Sequence, residues 1–172
     1  MRLRSHFAVV AAGMLGLAAL GAPRAVVAAE PGSREAIDQA AAVNTELALA
    51  YMREGNLKAA REKIDKALQQ DARTANTQMA AGFVYDKLGD KKKALSHFEQ
   101  AVKLGGKDNP DVVANAAVYF CMNGEPKRGE QYMLQAAASP LNARPDVAYT
   151  NAGRCARGDG RPKDAEQSFR KA

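Results

Sequence analysis

Apolar positions in this chain follow one rhythm four times. In each copy a pair of adjacent apolar or small residues is followed three positions later by a residue that is usually aromatic, and then by a small residue and a large one. In the second copy these are Ala81 and Gly82, Tyr85, Ala94 and Phe98. Spacings of three and four residues are those of one face of an α-helix, so each copy predicts a pair of helices.

Glycines at the turns set the period of this rhythm. Gly55, Gly89, Gly124 and Gly160 follow one another at intervals of 34, 35 and 36 residues. A period near 34 residues is that of the helix–turn–helix tetratricopeptide repeat. The chain is therefore predicted to be an all-α superhelical solenoid of about four units. These span about 41–74, 75–109, 110–144 and 145–172, within one domain over 30–172.

Small residues recur where the two helices of a unit should meet. The equivalent positions hold Ala48, Gly82, Ala117 and Gly153. Only small side chains there allow the helix backbones to approach closely. Large residues are expected to fill the space between units, namely Tyr51, Tyr85, Phe120, Ile64, Phe98, Met133 and Phe169. Gly129 and Ala156 depart from the usual residue types without breaking the period.

Residues that favour helix N-termini place the element boundaries. Asn56 and Asp90 are expected N-caps of second helices. Proline suits the first helical turn because its missing N–H is not needed there, and it occurs at Pro110, Pro126, Pro145 and Pro162. Helices are predicted at about 34–54, 57–70, 73–88, 91–104, 110–123, 126–138, 145–158 and 162–172. The abundance of Ala, the absence of Trp and the 6% aromatic content agree with closely packed helices.

The N-terminal segment 1–29 has the features of a secretory signal peptide. A basic start, an uncharged run "FAVVAAGMLGLAALGA" and small residues before Glu30 follow in that order. A retained membrane anchor is the alternative, but the apolar run is short for a span. Cleavage would remove three arginines and leave 22 basic against 19 acidic residues, a net charge of +3. This weak charge, with no basic run interleaved with aromatic residues, argues against a nucleic-acid partner.

The chain has two cysteines, and the repeat places them in equivalent surroundings. Cys121 and Cys155 both fall near the C-terminal ends of first helices in neighbouring units. Since such helices lie side by side and exported proteins meet an oxidising compartment, a Cys121–Cys155 disulfide is predicted. Two buried free thiols that pack as small apolar residues are the alternative.

One stripe of each first helix should face the inner wall of the solenoid. The positions expected to form a partner-binding groove there are Thr45, Leu49, Met52, Met79, Phe83, Val118, Met122, Arg154 and Arg157. Met and aromatic side chains suit a peptide from a partner protein. The two arginines could give the groove a positive end that favours an acidic segment or a terminal carboxylate. Alternatively, the apolar residues pack between helices and the arginines are solvated.

Enzymatic chemistry finds little support in the sequence. His97 is the only histidine after residue 29, and it falls on a predicted second helix. We find no metal-ligand spacing, no phosphate-binding glycine loop and no nucleophile near a base. The two cysteines lack the C-x-x-C spacing of redox motifs. No catalytic residue, cofactor or small-molecule substrate is therefore expected.

Several runs resemble the PilF/PilW family of type IV pilus biogenesis proteins. They are "VNTELALAYMREGNLKAAREKIDKALQQD", "KDNPDVVANAAVYFC", "QAAASP" and "TNAGRCARGDGRPKDAEQSFRKA", and the likeness extends from about Val43 to Ala172. The most specific features are the cysteine of "YFC", that of "NAGRC" one unit later, and "AAASP" between them.

The resemblance implies a non-enzymatic, periplasmic pilotin that helps the outer-membrane secretin assemble and so permits twitching motility. Members usually carry a lipidated N-terminal cysteine and often six units, and this sequence matches neither feature. The expected location is the periplasm, next to the outer membrane through the partner. A generic exported tetratricopeptide adaptor unrelated to pili is the alternative function.

Overall fold

The structure is a computed structural model that describes residue 30 and residues 32–172. The predicted signal peptide, 1–29, lies outside the described residues. Eight helices follow in order: α1 (Arg34–Arg53), α2 (Leu57–Gln70), α3 (Ala75–Lys87), α4 (Lys91–Gly105), α5 (Pro110–Met122), α6 (Pro126–Ala137), α7 (Pro145–Gly158) and α8 (Pro162–Phe169). None of the helices in this described part has the length and apolar character needed to cross a bilayer.

The observed helix ends lie within two residues of the predicted ones, except at the end of α8. That helix ends at Phe169 rather than at Ala172. Beyond it, the Lys171 N–H donates to the carbonyl of Ser168, three residues back, and so forms a turn. Elsewhere the local signals act as expected. Ala59 N–H donates to Asn56 Oδ1 at 3.2 Å, and Lys93 N–H donates to Asp90 Oδ1 at 3.1 Å.

Glycine ends the first helix of every unit for a conformational reason. The four turn glycines have positive φ angles of 77°, 81°, 92° and 73°, at Gly55, Gly89, Gly124 and Gly160 respectively. Residues with a Cβ rarely adopt this conformation, whereas glycine does so readily. The regular spacing of these glycines in the sequence therefore reports the regular spacing of the turns.

The helices pair and stack in one direction, as the predicted fold class requires. Each odd-numbered helix packs against the even-numbered helix that follows it, and α1, α3 and α5 each also pack against the next odd-numbered helix. The even-numbered helices make no such contacts with one another among the described residues. The odd-numbered helices therefore form one continuous wall and the even-numbered helices the opposite layer. This confirms an all-α tetratricopeptide-repeat solenoid.

Large residues from second helices fill the space between units. Phe98 of α4 is fully buried, packs edge-on against Phe83 of its own unit and stacks on Tyr119 of the next, with ring centroids 5.0 and 4.2 Å apart. A Cβ on Gly82 would lie only 2.8 Å from the Phe98 ring, which is why a small residue is needed there. Full burial of such a side chain contributes about 1.5–3 kcal/mol. The equivalent residue of the last unit, Phe169, remains 38% exposed.

Candidate protein-binding wall and cleft

The wall of odd-numbered helices carries most of the residues predicted to bind a partner. Leu49, Met52, Met79 and Phe83 are partly buried on α1 and α3, where they pack against the core of the first two units. Their outer surfaces remain accessible, so they can contribute apolar area to binding while holding the units together.

Thr45 was predicted to line the groove, and this is wrong. Its side chain is only 5% exposed, because it lies where α1 and α3 pack together. The hydroxyl donates to the carbonyl of Ala41 at 2.8 Å and also lies 3.0 Å from the hydroxyl of Thr77 on α3. Thr45 therefore joins two units and is not available to a partner.

The two arginines of α7 have different neighbours. Arg154 lines a cleft between α5 and α7, whereas Arg157 lies 5.9 Å from the centroid of Phe169 on α8. Residues three apart on a helix differ by about 60° in direction, and the Phe169 ring offers Arg157 a cation–π contact. Arg157 is therefore not part of this cleft, and its place in the wider groove stays a prediction.

The structure does bring Val118, Met122 and Arg154 together. They line a cleft of about 510 Å³, and its other lining residues are Cys121, Gly124, Pro126, Met133, Asn151, Cys155, Gly158 and Asp159. We call this the α5–α7 cleft. Met122 is 80% exposed, although methionine is usually buried.

A disulfide links the two helices that form this cleft. Cys121 of α5 and Cys155 of α7 are joined, with their Cα atoms 5.8 Å apart, a distance typical of disulfides. Gly129 of α6 is packed closely against the α5 backbone beside Cys121. The cleft is thus framed by elements that are held in place covalently and by close packing.

Salt bridges of Arg161 stabilise the packing of the helices next to the cleft. Arg161, which caps α8, pairs with Glu130 of α6, Asp159 and Asp164, the last two at 2.7 and 2.8 Å. These three carboxylates raise the pKa of the Arg161 guanidinium further above its usual range. Glu130 is nearly buried, so the pair replaces the solvation that this carboxylate loses. The network ties α6, α7 and α8 into one body.

Asn151 and Asp159 also line the cleft and were missed from the sequence. Asn151 precedes Arg154 by nearly one helical turn, so the periodicity that selected Arg154 could have selected it too. Asp159 lies in the turn after α7, where helical periodicity no longer predicts the direction of a side chain. Pro126 and Met133 come from α6, and no pattern along α5 or α7 indicates their contribution.

His97 takes part in a packed polar network. Its Nδ1 lies 2.8 Å from Gln78 Oε1, and its ring stacks on Tyr85, which donates a hydrogen bond to Asp65. Burial lowers the pKa of His97, and the nearby Lys93 lowers it further. Burial and the bond to Asp65 raise the pKa of Tyr85 to about 12. In the described part of the chain, no group of three His, Cys, Asp or Glu side chains could hold a metal ion.

Comparison with known proteins agrees with this architecture. A profile of the tetratricopeptide repeat family matches residues 39–105, which include most of α1 and all of α2, α3 and α4. An uncharacterized protein of Haemophilus influenzae is 32% identical over 101 residues, covering 59% of this chain and 56% of its own.

Two solved structures share the fold over most of the chain. PilW, described as a widely conserved type IV pilus biogenesis factor, superposes with a TM-score of 0.68 and 26% identity over 77% of this chain. PilF of Pseudomonas aeruginosa gives a TM-score of 0.70 and 23% identity over 79%. The present chain spans 60% of the PilW chain and 61% of the PilF chain.

Proposed function

We propose that this chain is a non-enzymatic scaffold for type IV pilus biogenesis that acts in the periplasm by holding a partner protein on the wall of odd-numbered helices. The observation that carries the proposal is the likeness to PilW, a type IV pilus biogenesis factor, at 26% identity over 77% of the chain. The partner we favour is the outer-membrane secretin, whose assembly or stability the scaffold would assist.

The form of the wall supports a binding role. A solenoid buries each unit only against its neighbours, so its open wall remains available along its full length. Partly buried Leu49 and Phe83 supply apolar area, and Met122 supplies a flexible, exposed side chain. Apolar centres with polar surroundings are the usual composition of protein interfaces.

A deletion strain tests the proposed function. Heat-resistant secretin multimers are measured by immunoblot, and surface pili and twitching are scored in parallel. We expect the deletion to reduce multimers and abolish twitching, and the unaltered gene to restore both. A Leu49→Glu/Phe83→Glu variant, compared where immunoblot shows that it accumulates to the normal level, should fail to restore them. A Lys66→Glu variant, altered on the exposed side of α2, serves as the matched control.

The alternative is an exported adaptor that serves another envelope assembly. It predicts normal multimers and normal twitching in the deletion strain. That result would overturn the pilus assignment while leaving the binding wall itself intact.

A further inference from the structure

The α5–α7 cleft combines exposed apolar surface with the guanidinium of Arg154, which has no ion pair among the described residues. We propose that this cleft binds a partner segment in which a large apolar side chain stands next to an aspartate or glutamate. The apolar side chain enters the cleft, and the carboxylate pairs with Arg154. This inference rests on the proposed function, since it specifies the chemistry of the segment that the wall holds.

The apolar part of the site is centred on Met122. It is the most exposed of the large hydrophobic side chains in the part of the chain that the structure describes. Val118, Pro126 and Met133 extend the apolar lining beneath it. The cleft volume of about 510 Å³ falls within the range of pockets that enclose small ligands, so one large side chain and its backbone fit inside.

The charged part of the site is Arg154. Among the described residues, no carboxylate oxygen lies within 4.0 Å of its guanidinium nitrogens. Asp159 is the only carboxylate in the lining, and it is already paired with Arg161 at 2.7 Å. Asn151 adds an amide donor on the same side of α7. The cleft therefore offers a cation and a neutral hydrogen-bond donor, and a carboxylate from a partner could pair with both.

The disulfide explains why this part of the wall is suited to specific recognition. It joins Cys121 and Cys155, both of which line the cleft, and so fixes the separation of α5 and α7. A site whose walls are already fixed loses little conformational freedom when a ligand binds. The helix backbones that carry Met122 and Arg154 are thus held at a fixed separation.

A side chain is a better source of the carboxylate than a chain terminus. Arg154 and Asn151 are both side chains within α7. Terminal carboxylates are commonly captured by successive backbone N–H groups, and the backbone N–H groups at these positions belong to the helix. We therefore assign the carboxylate to an aspartate or glutamate within the bound segment.

Selection from a random peptide library tests the proposal without knowledge of the natural partner. The library is displayed on phage with its C-termini fused, so that only side chains supply carboxylates, and is selected against residues 30–172 in oxidised form. We expect enrichment of a large apolar residue adjacent to Asp or Glu. Selection against Arg154→Glu should replace the acidic residue by Lys or Arg.

Binding constants of the enriched peptide, synthesised with an amidated C-terminus, give the second readout. Arg154→Ala should weaken binding about tenfold, the loss expected for one charge-assisted contact. Arg157→Ala should change it less than twofold, because that guanidinium lies against Phe169 instead. Circular dichroism of each variant verifies the fold. We expect both variants to fold normally because both arginines are exposed.

Three results would overturn the inference. Peptides that respond to Leu49→Glu/Phe83→Glu but not to Arg154→Ala would place the binding site elsewhere on the wall, and the proposed function would stand. Peptides that bind only with a free C-terminus would rule out the side-chain carboxylate. A library with no binders would count against both the cleft and the wall.

Discussion

The carbonyl oxygen of Ala117 on α5 lies 2.7 Å from the point that a Cβ on Gly129 of α6 would occupy, and Cys121 N lies 2.8 Å from it. Both neighbours are backbone atoms, so they cannot rotate away. A glycine is therefore required at this crossing, next to the disulfide, where other units have alanine.

Substitution of this glycine should destabilise the fold. Gly129→Ala is expected to lower the free energy of unfolding by about 1–3 kcal/mol, because α5 and α6 must separate to admit the methyl group. Gly158→Ala is the matched control, since its Cβ would meet nothing within 4 Å and alanine is the better helix former. Urea denaturation compares the two. Equal stability of both variants would contradict the close approach.

The disulfide should add stability that reduction removes. The chain-entropy relation assigns about 3–4 kcal/mol to a cross-link between residues 34 apart. We expect the double variant Cys121→Ala/Cys155→Ala to unfold at lower urea concentration than the oxidised protein, and at about the same concentration as the reduced protein.

Mass spectrometry after alkylation provides the direct check on the bond. Protein isolated without reductant should incorporate no alkyl groups, and two after reduction. Two modified thiols before reduction would show that the mature protein holds free cysteines.

His97 should make stability depend on pH in a defined direction. Burial lowers its pKa in the folded protein, so the unfolded chain binds the proton more tightly. Its stabilising effect is present above the ordinary pKa of about 6.5 and is lost as the pH falls through the lower folded value. The urea concentration at the unfolding midpoint should therefore decrease as the pH is lowered from 7 to 5.

A His97→Gln variant isolates this contribution. Glutamine cannot titrate in this range and retains an amide near Gln78. We expect the variant to lose less stability than the unaltered protein over the same pH interval. An identical pH dependence in both proteins would assign the effect to other groups.

Thr45 should affect stability and leave binding unchanged. Thr45→Val preserves shape but removes the hydroxyl that contacts Ala41 and Thr77, leaving a buried polar group unpaired. The expected loss is about 1–3 kcal/mol. Peptide affinity, measured where the variant remains folded, should match that of the unaltered protein. Weaker peptide binding by a folded Thr45→Val variant would show that Thr45 does contribute to the groove.

The helices could be predicted because their signals are local. Each turn glycine, N-cap and first-turn proline acts on its own few residues, so the sequence pattern alone places α1 to α7. The wall was only partly predictable. Periodicity shows which residues share one side of a helix, but it does not show which neighbouring helix covers that side. Thr45 and Arg157 fit the same periodicity as Leu49 and Arg154. Thr45 nevertheless packs against α3, and Arg157 lies near Phe169 of α8.

The cleft depends on tertiary packing and could not be predicted as a unit. Residues from α5, α6, α7 and the turns beside them meet there. The sequence shows that Gly129 departs from the usual alanine, but the reason appears only once the α5 backbone is in place.

The central claim is that a pilus assembly component is held on the wall of odd-numbered helices. Site-specific photo-cross-linking in living cells tests it most directly, with benzoylphenylalanine at Met122 on the wall or at Lys66 on the exposed side of α2. The proposal predicts a cross-linked product that reacts with antibody to the secretin from position 122 and none from position 66. Products from position 66 alone, or none containing a pilus component from either position, would contradict it.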